Sequence, residues 1–179
     1  MKLIAIAIFL INVSIVNAMP EIHFHVKDGR VEEVKKLLDN DPNLINSTTK
    51  SGDTPLHWAI RTKRKTVVNV LLEYGANVTA VNNYGNTCLH VAAEYNRPEL
   101  VELMLRKAAD IHAKNMYGAT PLHEAARTHS NEAIRTLLKA GANIKAKNNY
   151  GHTPMDKAIS SRRTSMQNKI INDILSNLL

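Results

Sequence analysis

Apolar and polar residues follow one another along this chain with the spacing of short amphipathic helices. Leu56, Ala59 and Ile60 fall on one face of a predicted helix, and a second apolar stripe follows it. That second stripe returns twice further along the chain, and its three copies consist of Val67, Val70, Leu71 and Leu72, then Leu100, Leu103, Met104 and Leu105, then Ala133, Ile134, Leu137 and Leu138. The pattern predicts repeated helix pairs, each with one apolar side.

A sequence motif recurs in step with these stripes. Thr54-Pro55-Leu56-His57 returns as Thr87-Cys88-Leu89-His90 and as Thr120-Pro121-Leu122-His123, and a divergent copy stands at Thr153-Pro154-Met155-Asp156. Thr54, Thr87, Thr120 and Thr153 are equally spaced along the chain, and we call this spacing the repeat interval. It matches the length of one helical repeat unit. The threonine can cap the free amides of a helix N-terminus. Proline in the first helical turn removes an N–H group that has no partner there anyway.

The combined order G-x-T-P-L-H-x-A-A and L-L-x-x-G-A-x resembles the ankyrin repeat. This resemblance implies an all-α repeat solenoid, in which stacked helix-turn-helix repeats are joined by β-turn or hairpin fingers. The resemblance implies an N-terminal capping repeat at 19–50, repeats at 51–83, 84–116 and 117–149, and a C-terminal capping repeat at 150–179, all of them after a signal peptide at 1–18 that is predicted separately below. The structural motif residues are Gly52, Gly85, Gly118, Gly151, Thr54, His57, Thr87, His90, Thr120 and His123.

Two of the repeats end their second predicted helix with a glycine, and one does not. Gly75 and Gly141 can adopt the left-handed conformation that ends a helix. Ala108 stands at the equivalent position, where we expect about 1 kcal/mol of local strain or a different cap. Beyond the last motif, apolar spacing predicts a long helix over residues 164–178 that covers the end of the stack.

The first eighteen residues have the composition of a secretory signal peptide. Lys2 precedes an apolar run over residues 3–16, and Val16-Asn17-Ala18 places small or modest side chains before the expected cleavage point. The run is shorter than the roughly 20 apolar residues that span a bilayer. We therefore expect cleavage after Ala18 and a secreted or periplasmic protein, with an uncleaved membrane anchor as the alternative.

Charge and cysteine content narrow the choice of partner only slightly. The formal net charge is +7, and the single cysteine, Cys88, excludes an intramolecular disulfide. The one basic cluster consists of Arg61, Lys63, Arg64 and Lys65. We interpret it as a solvated turn, with contact to an acidic protein patch, a nucleic acid or lipid headgroups as alternatives. No aromatic residues interleave it, which disfavours nucleic acid.

No residue set supports a catalytic, cofactor-binding or metal-binding role. His57, His90 and His123 recur once per repeat, as a structural hydrogen bond requires, and the resemblance implies that they tie neighbouring repeats together. His23 and His25 would point about 200° apart on a helix, which does not suit a shared metal. Cys88 is expected in the core. The sequence therefore predicts a protein that is not an enzyme.

A row of tyrosines is the most informative feature outside the motif. Tyr84, Tyr117 and Tyr150 each precede a periodic glycine and are separated by the repeat interval, so stacking would align them. They are either consensus residues packed tip against tip or anchors for a partner. By resemblance, the predicted partner-binding set is Lys50, Ser51, Asp53, Asn83, Tyr84, Asn86, Glu94, Tyr95, Met116, Tyr117, Ala119, Arg127, Thr128, Asn149, Tyr150 and His152.

Together these patterns predict an exported protein-interaction module, an adaptor or effector-like scaffold, that functions as a monomer and binds a protein partner through its fingers and the concave face. The alternative is a basic surface that binds nucleic acid or an anionic membrane. Catalysis on the same face is the least favoured interpretation, since it would rest on histidines that already have a structural explanation.

Overall fold

The computed structural model describes residues 19–160. The predicted signal peptide and the predicted helix at 164–178 lie outside this range. Contacts along the chain divide it into two units, Met1–Ala76 and Asn77–Leu179. Each unit is described by itself.

The first unit contains two helix pairs. They are α1 (Glu21–Asp28) with α2 (Val31–Asn40), and α3 (Pro55–Arg61) with α4 (Lys65–Glu73); a short 3₁₀ helix, Pro42–Asn46, follows α2. Helix α1 packs on α3 and helix α2 packs on α4, so corresponding helices of the two pairs are neighbours. The buried residues between them include Ile22, Val26, Val34, Leu38, Leu56, Ile60 and Leu71.

The second unit repeats the arrangement. Its helices are α5 (Cys88–Glu94), α6 (Pro98–Arg106), α7 (Pro121–Arg127), α8 (Asn131–Lys139) and α9 (Pro154–Ser160). Helix α7 packs between α5 and α9, and α6 packs on α8. The apolar stripes predicted from the sequence supply the core, which includes Leu89, Ala92, Leu100, Met104, Leu122, Ala125, Ile134 and Leu137.

The motif threonines begin the first helix of each repeat. The Thr54 backbone N–H donates to His57 Nδ1 at 3.2 Å, and the His57 N–H donates to Thr54 Oγ1 at 3.4 Å. Thr87 and His90 form the same reciprocal pair at the same distances. Satisfying these free N–H groups stabilises a helix end by about 1 kcal/mol. Proline at the first turn of α3 and α7 is confirmed.

The divergent fourth motif keeps the cap with different chemistry. Thr153 donates its backbone N–H and its hydroxyl to Asp156 Oδ2, both at 2.8 Å. Because these bonds favour the charged carboxylate, they lower the pKa of Asp156, and the backbone N–H is the larger cause. Asp156 therefore replaces the histidine as a capping residue, but a carboxylate has no ring N–H to donate onward.

Short helices packed on one another build each of the two units. The α-helices hold between 7 and 10 residues, too few to be stable alone in water. Within residues 19–160 the only β-type pairing is an isolated bridge between Val81 and Thr87. The all-α repeat fold predicted from the sequence is confirmed, and its stability comes from packing between neighbouring repeats.

Candidate protein-interaction surface

Three equivalent turns in the second unit carry the row of tyrosines. We call residues 78–87, 111–120 and 144–153 the first, second and third finger. Each turn is closed by a buried asparagine whose Oδ1 accepts two backbone N–H groups. Asn115 Oδ1 accepts from Tyr117 and Ala119, both at 3.0 Å, and Asn148 Oδ1 accepts from Tyr150 and His152, also at 3.0 Å. This local bonding fixes the backbone at each tip.

Asn82, in the first finger, plays the same part towards Tyr84 and Asn86, at 3.0 and 3.1 Å. The asparagines were not among the residues singled out from the sequence. Asn82, Asn115 and Asn148 are nevertheless separated by the repeat interval, which therefore contained the signal that could have found them.

Backbone hydrogen bonds join neighbouring fingers. The Met116 N–H donates to the Tyr84 carbonyl at 3.0 Å, and the Asn149 N–H donates to the Tyr117 carbonyl at 3.0 Å. The fingers can approach this closely because a glycine follows each tyrosine. A Cβ atom on Gly118, at φ +68°, would lie 2.8 Å from the Asn149 nitrogen.

The tyrosine rings at the tips remain accessible. Tyr84 is 50% exposed, Tyr117 43% and Tyr150 65%. Met116, beside the second of these tips, is also exposed. Rings that keep about half of their surface in water are not fully packed against one another, so they retain apolar area for a partner.

Two of the predicted contact positions are buried, which corrects the prediction for them. Asp53 is 1% exposed and pairs with Arg61 at 2.8 Å. Ala119 is 4% exposed, and its carbonyl accepts a hydrogen bond from His90. Each directly follows a periodic glycine and is buried, so these two side chains are not available to a partner of the folded chain. Of their neighbours in the first unit, Lys50 is exposed and Ser51 half-buried.

A charged network in the second unit involves three other predicted positions. Arg127 bonds Glu94 at 2.9 Å and Glu124 at 2.8 Å. The Thr128 hydroxyl donates to the Glu94 carbonyl at 2.9 Å. Glu94, Arg127 and Thr128 therefore join α5 to α7 before any partner is considered, and Glu124 is a member that the sequence did not indicate.

The remaining predicted positions of the second unit are exposed or half-buried. Asn83, Tyr95, Asn149 and His152 are exposed, and Asn86 is half-buried. Asn149 also ties two fingers together, because its Nδ2 donates to the Met116 carbonyl at 3.1 Å. Whether these residues contact a partner stays a prediction.

The motif histidines form a ladder of buried hydrogen bonds within the second unit. His90 Nε2 lies 3.0 Å from the Ala119 carbonyl, and His123 Nε2 lies 3.0 Å from the His152 carbonyl. Since Nδ1 accepts from a threonine N–H, the ring proton is on Nε2, which donates to the carbonyl. Burial lowers the pKa of both histidines, so the neutral ring predominates.

His23 is the motif histidine of the first repeat, which the sequence analysis missed. Its Nε2 donates to the Asp53 carbonyl at 2.9 Å, and the side chain is completely buried. Pro20 occupies the capping position and has no N–H, so His23 Nδ1 has no hydrogen-bond partner. Two features hid the match: the missing Thr-Pro, and a separation from His57 that exceeds the repeat interval by a single position.

The basic cluster of the first unit is partly structural. Arg61 pairs with Asp53 and lies 5.3 Å from the Trp58 ring centroid. Arg64 donates from Nε to the Lys27 carbonyl at 2.8 Å. Lys63 and Lys65 are exposed. Half of the cluster therefore serves contacts inside the first unit.

No group of histidine, cysteine and carboxylate residues with the arrangement of a metal site is found within residues 19–160. Cys88 is buried at the start of α5, as predicted. In the same part of the chain, no helix has the length and apolar character needed to cross a bilayer.

The comparison with protein families agrees with the geometry. The family model "Ankyrin repeats (3 copies)" matches residues 22–115 and 89–177. The chain belongs to the ankyrin-repeat family. Repeats of this family are protein–protein interaction modules and are generally not catalytic.

Individual relatives share only short stretches with this ankyrin-repeat protein. It is 36% identical over 64 residues to the scaffold protein ILK of Homo sapiens, which is 36% of this chain and 14% of that protein. It is 32% identical over 63 residues to palmitoyltransferase akr1 of Schizosaccharomyces pombe (35% and 10%) and 37% over 57 residues to the putative ankyrin repeat protein FPV245 of Fowlpox virus (32% and 13%). It therefore spans only 10–14% of the length of these relatives.

Proposed function

We propose that this ankyrin-repeat chain is an exported adaptor, or effector-like scaffold, that binds a protein partner through the tips of its fingers. The observation that carries the proposal is the row of three half-exposed tyrosines at equivalent positions of the second unit. Tyrosine is favoured at interfaces because it buries a large apolar ring while keeping its hydroxyl hydrogen-bonded.

The way the fingers are built supports a binding role. Asparagine side chains close the turns, and backbone hydrogen bonds join one finger to the next. A surface whose backbone is fixed before binding loses little conformational entropy when the partner arrives. The tyrosine rings are therefore held at fixed spacing as anchors.

Peptide selection followed by substitution tests this proposal. Peptides would be selected from a phage library of random dodecapeptides on the immobilised full-length chain, then measured by fluorescence polarisation. Replacing Tyr84, Tyr117 and Tyr150 together with Ala should weaken the selected peptides at least about tenfold, since interface tyrosines are frequent hot spots. Circular dichroism should stay unchanged because the rings are exposed.

Tyr74→Ala is the matched control. Tyr74 is similarly accessible but lies in the first unit, at the end of α4, where its hydroxyl donates to Asp39. Its removal should leave peptide affinity unchanged. Affinities that survive the triple substitution would remove the tyrosine row from the proposal.

Export is a separate part of the proposal and has its own test. It is supported by the pattern of Lys2, the apolar run and Val16-Asn17-Ala18. N-terminal sequencing of the protein recovered outside the cytoplasm of a secreting host should start at Met19. Protein that stays with the cells and begins at Met1 would contradict export.

Binding of an anionic polymer or membrane is the second candidate. The net charge of +7 and the exposed Lys63 and Lys65 favour it. The contacts of Arg61 and Arg64 inside the first unit weaken it. If it is correct, affinity for a thymidine oligonucleotide or for vesicles containing phosphatidylserine should fall steeply as salt rises from 50 to 200 mM.

A further inference from the structure

The second and third fingers differ in one buried hydrogen-bonding group. In the second finger, Asn115 Nδ2 donates to Asn86 Oδ1 at 2.8 Å and to the carboxylate of Glu124 at 3.0 Å. Both amide protons are used. The carboxylate that accepts from this buried amide comes from α7, the helix that follows the second finger.

The third finger keeps the amide but has lost both acceptors. Asn148 is the repeat equivalent of Asn115, and the repeat equivalents of Asn86 and Glu124 are Ala119 and Lys157. A methyl group and an ammonium cannot accept a hydrogen bond. Asn148 is only 7% exposed, and its Nδ2 has no hydrogen-bond partner among residues 19–160. A buried donor without an acceptor is unfavourable, and a ligand that supplies the acceptor removes that cost.

Three lysines lie at the third finger, in which this donor stands. Lys157 Nζ lies 5.7 Å from the centroid of the Tyr150 ring, and Lys114 Nζ donates to the Lys147 carbonyl at 3.2 Å. Lys114 and Lys147 are both exposed. The carboxylate of Asp156 is already held by Thr153. None of the three fingers contains an aspartate or a glutamate.

We infer that the protein partner inserts an aspartate or glutamate carboxylate at the third finger, where it accepts from Asn148 Nδ2 among Lys114, Lys147 and Lys157. This rests on the proposed function and adds the chemistry of the partner. Lys157 takes the repeat position of Glu124, so its flexible side chain must swing aside for the carboxylate to enter. Its ammonium then pairs with the incoming charge, and Tyr150 covers the apolar part of the acidic residue.

A protein carboxylate fits this surface better than a nucleic acid. A phosphate backbone that ran along the tyrosines would need cations at every finger to hold it. The first finger, residues 78–87, has no lysine or arginine, and the cations concentrate at the third. One acidic side chain, or a short acidic segment, matches a single cluster of cations beside a single unsatisfied amide.

The peptides selected on the full-length chain test the inference through Asn148→Asp. This substitution keeps the Oδ1 atom that closes the turn towards Tyr150 and His152, but it turns the Nδ2 donor into an acceptor. The selected peptides should be enriched in aspartate and glutamate, and their affinity should fall about tenfold or more, as expected when a hydrogen bond to a charged group is lost. Asn143→Asp makes the same charge change at an exposed turn outside the finger and should leave affinity unchanged.

Exchanging the critical glutamate or aspartate of a peptide for its amide should weaken binding to the unsubstituted chain by a similar factor. The same exchange should have little effect on binding to the Asn148→Asp variant. Neutral or basic peptides, or equal affinity for both variants, would overturn the carboxylate. If neutral or basic peptides still lose affinity when the three tyrosines are replaced, the proposed function stands without the inferred carboxylate. Tighter binding of a thymidine dodecanucleotide or of phosphatidylserine vesicles, weakened by Asn148→Asp, would assign the third finger to a phosphate instead.

Discussion

Ala108 shows how a single residue departs from the repeat pattern. Gly75 and Gly141 follow the second helices of their repeats with φ angles of 83° and 90°, and Ala108 takes the same left-handed region with φ 60°. The chain therefore keeps the usual turn with an unfavourable residue instead of finding a different cap. A side chain with a Cβ atom is strained in this region, whereas glycine is not.

Ala108→Gly should stabilise the folded chain by about 0.5–1 kcal/mol. The substitution removes the strain of the left-handed conformation, and the greater freedom of glycine in the unfolded chain offsets part of the gain. Urea unfolding followed by circular dichroism should show a higher midpoint with an unchanged slope.

Gly141→Ala is the matched reverse change. A Cβ atom on Gly141 would meet no described residue within 4 Å, so only the backbone conformation is affected. It should lower stability by about 1 kcal/mol. If Ala108→Gly had no effect while Gly141→Ala cost stability, the strain assigned to Ala108 would be absent.

At the same scale, His23 marks the limit of prediction from sequence. His57, His90 and His123 were predicted to be structural because one identical histidine recurs in each repeat motif. His23 makes the same bond to a backbone carbonyl, but Pro20 and Glu21 replace the threonine and the proline. The packing that buries Ile22 and His23 tolerates a weaker cap, and that packing has no fixed local signature.

Among the elements, neighbouring fingers are held together by direct backbone hydrogen bonds as well as by the packing of their helices. Gly118 lets the third finger approach the second until the Asn149 N–H reaches the Tyr117 carbonyl at 3.0 Å. Gly151 has the same left-handed backbone, but no atom of the described part of the chain lies within 4 Å of the place where its Cβ would be. Replacing Gly118 should therefore cost more stability than replacing Gly151, although both occupy the same position of the repeat motif.

Gly118→Ala should destabilise the chain by about 2–4 kcal/mol, and Gly151→Ala by about 1 kcal/mol. The first adds a clash with backbone to the strain of a positive φ, whereas the second adds only the strain. Urea unfolding measures both, and amide hydrogen exchange should show loss of protection at Asn149 only in Gly118→Ala. Equal costs would mean that contact between the fingers contributes nothing.

The elements of the candidate surface were predicted unevenly. The positions of the tyrosines followed from the repeat interval, but only the structure shows that their rings stay about half exposed. The burial of Asp53 was missed because its partner Arg61 lies at the far end of the following helix and neither residue is in the repeat motif. A repeat interval locates side chains, but the direction of each depends on partners that vary from repeat to repeat.

For the whole molecule, the buried histidines connect repeat stacking to pH. His23 in the first unit, and His90 and His123 in the second, each have a pKa lowered mainly by burial. Each ring donates to a backbone carbonyl of the following repeat. At His90 and His123, a second ring proton would point at the threonine N–H that Nδ1 now accepts, so charging the ring opposes both burial and the cap.

Stability should therefore fall as the pH is lowered below about 6.5. In the unfolded chain these rings titrate near 6.5, so between that value and their lower folded pKa the unfolded chain binds more protons. The contribution of the neutral histidines to the free energy of unfolding is therefore fully present above about pH 7.5 and decreases through pH 6 and 5. Urea midpoints at pH 7.5, 6.5 and 5.5 should decline in that order, and replacing the exposed His112 with Gln should not change the decline.

Asp156 cannot cause this decline in stability, because a carboxyl whose pKa is lowered from 3.8 loses its contribution only in more acidic solution. Midpoints that stay level from pH 7.5 to 5.5 would mean that the histidine ladder accepts protons without opening, contrary to the hydrogen bonds that define it.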